Sequence, residues 1–341
     1  MKTRQVTIKD IAKQLDISPA TVSRALKDHP DISKSTKKAV VELANSLNYQ
    51  PNSIALSLRS QKTNTIGVIV PEIIHFFFSS AISGIEAIAY KAGYNVIICQ
   101  SNESYEREVA NVNTLLKNRV DGILISISKN TQDFAHLKKV VNMGIPLIFF
   151  DRVCDEISAH KVTVRDEKGA YEAVNHLIQQ GHKKIAHLAG PESLKISKLR
   201  KNGYLNALID NGIIPNNEFI LVADNKEDGY ESTRKLLKLS ERPDAIFTVN
   251  DNVAIGAIQA IKEAKLSIPK DVAIIGFSDD QKITSLVEPH LSSIAQPAFQ
   301  IGQTAGELFL KQITNPNSHN FDEVVLDTEL IIRGSTDKTK P

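Results

Sequence analysis

The sequence predicts a small all-α headpiece followed by an α/β body that forms two doubly wound parallel-sheet lobes. Three observations lead to this prediction. Residues 1–50 contain only helical periodicities of apolar residues, whereas strand-length apolar runs alternate with helical stretches from residue 65 onward. These runs are too many for one sheet of common size. A chain of 341 residues is also long enough for two or three domains.

The first predicted helix spans Thr7 to Leu15, because its apolar residues recur at the i, i+3, i+4 and i+7 spacing of one helix face. Thr7 supplies an N-cap hydroxyl, and Asp10 places a carboxylate in the positively polarised first turn. A second short helix begins where Ser18 is followed by Pro19, an N-cap and a proline at the first helical position. Only two residues separate the two helices.

A third helix is predicted after Ser33, and it must end before Pro51. Three short helices with a tight turn between the first two are typical of the helix-turn-helix arrangement, whose second helix enters the major groove of DNA. An ordinary small helical domain is the alternative. The outward side chains of the second helix favour DNA, because Ala20, Ser23 and Arg24 are small or basic enough for close approach.

Nine strands are predicted in the body, and glycines lie at many of the joins. They cover Ile66–Val70, Val96–Cys99, Ile123–Ile127, Pro146–Phe150, Lys161–Val164, Ile185–Ala189, Ile220–Val222, Ala245–Val249 and Val272–Phe277. Strands that are apolar on both faces are typical of parallel sheets covered by helices.

The domain limits follow from these patterns. We predict a headpiece over residues 1–50, a hinge and linker over 51–64 and the body over 65–341. Because the apolar pattern breaks between Arg152 and His160, we place the boundary between the lobes there. The first lobe is predicted to hold residues 65–155 plus 280–297, and the second 160–279 plus 298–333. A C-terminal crossing between the lobes would place a cleft at the carboxyl ends of both sheets, where ligands of α/β folds bind.

Charge is distributed unevenly along the chain. Residues 1–62 carry 11 Lys and Arg against 5 Asp and Glu, whereas the remainder carries 30 against 34. A basic head on a mildly acidic body indicates that the head alone meets a polyanion.

Composition excludes several other classes of protein. No apolar run is long enough for a spanning helix, and the basic start has no apolar region behind it, so we expect a cytoplasmic protein. Cys99 and Cys154 lie in apolar runs and are predicted to be reduced thiols in buried strands. No G-x-G-x-x-G follows the first strand, and neither a Walker A run nor H-E-x-x-H occurs. We therefore predict no cofactor, no metal centre and no enzymatic activity.

Several segments resemble the lac repressor/galactose repressor family. Near the N-terminus they are Val6–Lys13, Ser18–Leu26, Asn48–Asn52 and Ala55–Arg59. In the body they are Ile66–Pro71, Gly93–Tyr94, Val120–Ile123, His176–Ile178, Gly181–His182, Asn250–Asp251, Ile275–Phe277 and Gln296–Pro297. The resemblance covers nearly the whole chain, and the ordered succession of motifs is more specific than any single one.

This resemblance implies a transcriptional regulator with a sensor body similar to periplasmic binding proteins. Such a protein pairs as a homodimer on a pseudo-palindromic double-stranded DNA operator and responds to a small-molecule effector. After Arg333 the sequence is polar and has no heptad repeat, so a dimer is predicted and not a tetramer.

In the headpiece the resemblance assigns base contacts to Pro19, Ala20 and Arg24. Arg24 is expected to dominate, because its guanidinium can bind guanine O6 and N7 while the other two offer only apolar contact. Phosphate contacts or helix caps are the expected roles of Thr7, Thr21 and Ser23.

The segment Asn52–Ser60 is too short for a stable isolated helix, so it is expected to fold on DNA. By the resemblance, Asn52 and Ala55 contact DNA and Leu58 wedges between base steps in the minor groove. Packing of Leu58 on the third helix is the alternative. The family usually has arginine where this chain has Leu56, which removes a phosphate contact or makes the hinge pairing more apolar.

Three consecutive aromatic residues follow the first strand of the body. Because successive helical residues point about 100° apart, Phe76, Phe77 and Phe78 cannot all face one interior. The resemblance assigns Phe77 and Phe78 to aromatic platforms against the effector, with core packing as the alternative.

Polar candidates follow the later strands. The resemblance assigns ligand contacts to Arg200, Asn250 and Asp279. Asp251 is expected to cap the next helix. Arg152, which follows Asp151, is predicted to line the lobe junction, although an internal ion pair explains these two residues equally well.

This set of side chains suits a polyhydroxylated ligand, because sugar hydroxyls both donate and accept hydrogen bonds. A carbohydrate effector is therefore predicted, with a purine or other metabolite as the alternative. A sugar-binding protein outside the cytoplasm would need a signal sequence and has no use for a basic head. An architectural DNA-binding protein would show no effector response. Relief of repression by the sugar is the default expectation, although recruitment to DNA is equally compatible with this fold.

Overall fold

The structure is a computed structural model that describes residues 6–49, 62–316, 318 and 320–337. Contacts between Cα atoms divide the chain into two compact units, residues 1–63 and 64–341. The predicted hinge residues Asn52, Ala55, Leu56 and Leu58 lie outside the described residues.

Residues 6–49 of the headpiece form three short helices with side-chain caps. They are α1 (Ile8–Gln14), α2 (Pro19–Leu26) and α3 (Lys34–Ser46). The Ser33 hydroxyl accepts a hydrogen bond from the Thr36 N–H at 3.2 Å, which satisfies one of the N–H groups that have no partner within the first turn of α3. Six fully buried apolar side chains form the core, namely Ile11, Ala12, Val22, Ala25, Val40 and Ala44.

Strands and helices alternate through the body, as predicted. The strands are β1 (Thr65–Val70), β2 (Asn95–Gln100), β3 (Gly122–Ile125), β4 (Leu147–Phe150), β5 (His160–Val164), β6 (Ile185–Ala189), β7 (Ile220–Val222), β8 (Ala245–Thr248), β9 (Ala273–Ser278), β10 (Ser292–Ala295), β11 (Glu323–Leu326) and β12 (Glu329–Ile331). The helices are α4 (Phe76–Lys91), α5 (Tyr105–Lys117), α6 (Ala135–Asn142), α7 (Asp166–Gln179), α8 (Lys195–Asp210), α9 (Lys226–Leu236), α10 (Asp251–Glu263), α11 (Gln281–Thr284) and α12 (Ala298–Thr314). Asn217–Phe219 form a short 3₁₀ turn.

Two six-stranded sheets define the two lobes. Lobe 1 has the order β2-β1-β3-β4-β5-β11, with every pair parallel. Lobe 2 has the order β7-β6-β8-β9-β10-β12, parallel except for the β10–β12 pair. The central strands are buried along their whole length, because helices cover both faces of each sheet. The doubly wound prediction is confirmed for both lobes.

The predicted limits of the lobes are wrong. Among the described residues the chain passes between the sheets at three points, and only the second coincides with a predicted limit, at residue 297, where the chain crosses in the direction opposite to the predicted one. The first passage follows β5 near Arg165, the second lies at Gln296–Pro297, and the third joins β11 to β12 at Asp327–Thr328. Strand β5, helix α12 and strand β11 therefore belong to lobe 1, and residues 280–295 belong to lobe 2.

Residues 152–160, where the apolar pattern breaks, form a turn within lobe 1 and not a boundary. This turn brings β5 beside β4 in the same sheet. The buried Cys154 lies in this turn and not in a strand, whereas Cys99 lies half-buried in β2 as predicted. Both are free thiols, and burial raises the pKa of each.

Helix α12 is fixed on lobe 1 by close contact with α4. A Cβ added at Gly302 would lie 1.9 Å from the carbonyl oxygen of Ala81, and one at Gly84 would lie 2.1 Å from that of Phe299. Only glycine allows the two helix backbones to approach so closely. This packing anchors the second crossing and so sets the lobe junction.

Candidate functional site

In the headpiece, helix α2 presents an exposed face beside its buried one. Val22 and Ala25 pack into the core, which leaves Pro19, Ala20 and Arg24 exposed. Ala20 and Arg24, four residues apart, lie on one side of the helix, and Pro19 lies about 100° around the helix axis from Ala20 in the first turn. The geometry therefore leaves the predicted base-contacting side chains accessible, and their contact with DNA stays a prediction.

The predicted phosphate-contacting residues already take part in local caps. The N–H and hydroxyl of Thr7 both donate to the Asp10 carboxylate, at 2.8 and 2.7 Å. The Ser18 hydroxyl accepts from the Thr21 N–H at 3.0 Å and lies 2.8 Å from the Thr21 hydroxyl. Ser23 is half-buried on the same helix. Thr7 and Thr21 thus take part in caps, whereas the cap or phosphate role of Ser23 and the phosphate contacts of the other two remain predictions.

In the body, a cavity of about 260 Å³ lies at the carboxyl ends of the strands of both sheets. Residues that follow β1, β2, β3 and β4 line it from lobe 1, and residues that follow β7, β8, β9 and β10 line it from lobe 2. Its volume is slightly below the ~300 to 1,000 Å³ of typical ligand pockets. The cleft predicted at the sheet ends is therefore present.

The first turn of α4 supplies the aromatic part of the cavity. Phe76, Phe77 and Phe78 all line it, and Phe77 and Phe78 also belong to the core of lobe 1. Their rings meet edge to face with centroids 5.3 Å apart. The core-packing and cavity-lining alternatives are both true, because the side chains lie at the boundary between core and cleft.

Arg152 lines the cavity and is held by an ion pair. Its Nη1 atom donates to both carboxylate oxygens of Glu103, at 2.8 and 3.0 Å. Its guanidinium carbon lies 5.8 Å from the ring centre of Phe78. The preceding residue, Asp151, is buried, and burial raises the pKa of its carboxyl to about 6 despite the neighbouring Arg152.

Arg200 also lines the cavity, from helix α8 in lobe 2, and its guanidinium is already bonded on every side. Nε donates to the buried Asp166 carboxylate at 2.8 Å, Nη2 lies 2.7 Å from the same oxygen in an ion pair, and Nη1 donates to the Val249 carbonyl at 2.6 Å. The Phe277 ring lies beneath it at 3.7 Å. Arg200 thus connects α7, α8 and β8 beside the cavity.

The residue that caps helix α10 is Asn250 and not the predicted Asp251. The Asn250 side chain is the N-cap of α10, accepting from the Val253 N–H at 2.9 Å. Asp251 is buried and accepts from the Ser293 hydroxyl at 2.7 Å and the Asp280 N–H at 2.8 Å. The prediction that Asp251 caps the helix is therefore wrong, and both residues line the cavity. Burial raises the pKa of the Asp251 carboxyl to about 7.

Asp279 is not among the described residues that line the cavity, and its assignment as a ligand contact stays a prediction. Its carboxylate accepts from Arg333 at 2.7 Å. Its neighbours Ser278 and Asp280 line the cavity instead. Ser278 and Asp279 both have positive φ, at 124° and 54°, so the chain turns sharply here and directs consecutive side chains apart.

Sequence reasoning missed the ion pair that crosses the cleft. Lys129, after β3 in lobe 1, contacts Asp224, after β7 in lobe 2, and both line the cavity. A second interlobe pair joins Asp155 to Lys195 at 2.8 Å. Each partner is an unremarkable charged loop residue in the sequence. Only their position after a strand could have drawn attention to Lys129 and Asp224.

Within the described ranges, no group of His, Cys, Asp and Glu side chains is arranged to hold a metal ion. None of the helices in those ranges combines the length and apolar character that a bilayer crossing requires.

An exposed helix-turn-helix surface and a two-lobed ligand cleft in one chain define the class of ligand-responsive DNA-binding regulators. Comparison with known proteins agrees. Residues 7–52 match the model of bacterial regulatory proteins of the lacI family, and residues 174–336 match that of the periplasmic binding protein-like domain.

Two curated relatives align over nearly their whole length. Catabolite control protein A of Priestia megaterium is 34% identical over 97% of this chain and 99% of its own. The probable transcriptional repressor ExuR of Bacillus subtilis is 35% identical over 97% and 98%.

Two solved structures show the same fold. The lac repressor dimer bound to operator and an anti-inducer is 28% identical over 98% of this chain and 99% of its own, with a TM-score of 0.86. A lacI-family regulator from Enterococcus faecium with bound ribose is 34% identical over 80% and 98%, with a TM-score of 0.70. The chain belongs to the lacI family and is a DNA-binding transcriptional regulator.

Proposed function

We propose that this protein is a homodimeric repressor in the cytoplasm whose affinity for a pseudo-palindromic operator is set by a sugar bound in the interlobe cavity. The main observation behind this proposal is the cavity between the lobes. Both lobes contribute to its lining, so a ligand that fills it favours one arrangement of the lobes over another. The protein acts by binding and without catalysis.

The choice of a sugar rests on the mixture of side chains. Phenylalanine faces beside carboxyl and amide groups suit a molecule with apolar ring faces and a rim of hydroxyls. The ribose-bound structure of the Enterococcus faecium regulator supports this choice. The operator-bound lac repressor dimer supports the homodimer on DNA.

The test has two parts. A thermal-shift screen of mono- and disaccharides should find a sugar that raises the Tm in proportion to its concentration, since a ligand of the native state stabilises it by mass action. The same sugar should then change the operator affinity measured by fluorescence anisotropy. Failure of every sugar to raise the Tm, or a stabilising sugar that leaves operator affinity unchanged, would refute the proposal.

A purine base or nucleoside is the second candidate, because the flat rings of Phe76 to Phe78 also suit stacking against a heterocycle. Inclusion of purines in the same screen separates the two candidates.

A further inference from the structure

The charged groups that line the interlobe cavity are unequal in number. Among the described lining residues, six are acidic and three are Lys or Arg. The acidic residues are Glu72, Glu103, Asp151, Asp224, Asp251 and Asp280. The basic ones are Lys129, Arg152 and Arg200. Acidic groups are therefore in excess by three around the ligand.

The cations of lobe 1 are already paired with carboxylates. Arg152 donates to Glu103 at 2.8 Å, with both side chains about 15% exposed or less. Lys129 contacts Asp224 across the cleft. A phosphate or carboxylate on the ligand would have to share these cations with carboxylates that already neutralise them, and it would meet those carboxylates as like charges.

The cation of lobe 2 is the least available. Arg200 is 4% exposed, and its nitrogens donate to Asp166 and to the Val249 carbonyl. Asp166 is itself 2% exposed. An anionic ligand that engaged Arg200 would strip a buried carboxylate of its counterion, which is more costly than the exchange of partners at a surface.

The remaining polar groups suit hydroxyls. Asp151 offers a carboxyl group whose hydrogen bond with Ser126 is long, at 3.4 Å, and the Gln296 Nε2 at the lobe junction has no hydrogen-bond partner among the described residues. A hydroxyl can donate to the first and accept from the second, whereas an anion only accepts. Burial already raises the pKa of Asp151 to about 6 and of Asp251 to about 7, so the environment disfavours further negative charge.

We propose that this cavity selects sugars without a phosphate or carboxylate group and rejects their phosphorylated and uronic counterparts. The proposal rests on the sugar-responsive function proposed above and specifies the charge of its ligand.

The test is calorimetric titration of the full-length protein at neutral pH with matched sets of sugars. Suitable sets are ribose with ribose 5-phosphate, glucose with glucose 6-phosphate and glucuronate, and galactose with galacturonate. A neutral sugar should bind roughly 100-fold more tightly than its charged counterpart, as expected for a like-charge contact.

The outcomes separate the two proposals. Equal or tighter binding of a phosphate or uronate would overturn the charge selection and leave the sugar-responsive function standing. Binding of no sugar, neutral or charged, would overturn both.

A pair of variants tests whether the occupied cations cause the selection. Glu103→Gln releases Arg152 inside the cavity. The ratio of the affinities for neutral and phosphorylated sugar should therefore fall by about tenfold. Glu156→Gln releases Lys138 from an exposed ion pair of 3.0 Å elsewhere in lobe 1, and it should change nothing. An unchanged difference in the first variant, or an equal change in both, would overturn the argument from pairing. The titration of the unmodified protein decides the charge selection even if Glu103→Gln does not fold.

Discussion

In the headpiece, the side chains predicted to contact DNA are exposed on α2, whereas in the body the cavity residues are buried and bonded to one another. Arg24 is an exposed cation that forms no ion pair with the described residues, while Arg200 donates hydrogen bonds to Asp166 and Val249 and lies over the Phe277 ring. Function and stability are therefore separable in the headpiece and coupled in the cleft. Variants at the two arginines should therefore fail in different ways.

The largest effect is expected from Arg200→Ala, which leaves the Asp166 carboxylate buried and unpaired. The free energy of unfolding, measured by denaturant titration, should fall by ~3 to 5 kcal/mol. A double variant, Arg200→Met with Asp166→Leu, should recover most of this loss, because it removes both charges and keeps volume. A loss smaller than about 1 kcal/mol in the single variant would show that the cleft is not coupled to stability in this way.

The next effect concerns pH. A carboxyl whose pKa is raised in the folded state holds its proton more tightly there, so the folded state is favoured at low pH. For Asp251 this contribution is complete below its ordinary value of 3.8 and is lost as pH rises through about 7. The free energy of unfolding at pH 8 minus that at pH 5 should therefore be larger in Asp251→Asn than in the unmodified protein. The increase should be on the order of a few kcal/mol.

The variant has to be compared with the unmodified protein, because other groups also change the stability with pH. Burial lowers the pKa of His187 to about 4, which gives a slope of opposite sign below its usual 6.5. This slope is common to both proteins and cancels. Asp210→Asn, on the surface of α8, is the control and should leave the pH profile unchanged. A profile for Asp251→Asn that coincides with that of the unmodified protein would contradict the prediction.

Arg24→Ala should affect only DNA binding. Operators are first selected from random DNA with the unmodified protein. The binding free energy of the variant for these operators should fall by ~1 to 3 kcal/mol, and its preference for them over random DNA should fall as well. The Tm should not change, because the side chain is exposed. Lys27→Ala removes a neighbouring exposed charge and should weaken specific and random DNA alike. Retained discrimination in Arg24→Ala would show that another residue carries the specificity.

The smallest effect is expected from Lys129→Ala, which removes the ion pair across the cleft. Both side chains are about a quarter exposed, so the free energy of unfolding should fall by only ~0.5 to 1 kcal/mol. Affinity for the effector should nevertheless shift, because the pair joins the two lobes. Lys138→Ala removes a pair within one lobe and should leave effector affinity unaltered. Equal effector affinities in both variants would show that the interlobe pair does not influence the cleft.

Most of the strands could be predicted because parallel strands are continuous apolar runs. Strand β10 could not, since Ser292 and Ser293 are polar. Both are buried because their hydroxyls find partners in distant residues, Ser293 in Asp251 and Ser292 in Thr336. A local pattern carries no information about such partners. The assignment of β5 and α12 to lobe 1 was missed for the same reason, because strands of both sheets have the same apolar character.

The candidate site was predictable to the extent that it follows strand ends. Arg152 was predicted from its place after a strand, whereas Phe77, Phe78, Arg200 and Asn250 were assigned by the family resemblance, and all five line the cavity. The pairing of Asp279 with Arg333 could not be predicted, because it follows from a turn with positive φ, and hydropathy does not report backbone handedness. The predicted contacts of the headpiece form only on DNA, and they stay predictions.

The three passages of the chain between the sheets have a consequence for biosynthesis. Lobe 1 lacks its sixth strand and the helix α12 until residue 326 has been made, by which time nearly all of lobe 2 has left the ribosome. Lobe 2 in turn waits for β12 at Glu329–Ile331. Because domains fold as units during synthesis, neither lobe can be finished before the other is almost complete. A nascent chain thus acquires both halves of its ligand cleft in nearly the same moment, whereas its headpiece has long been free to fold.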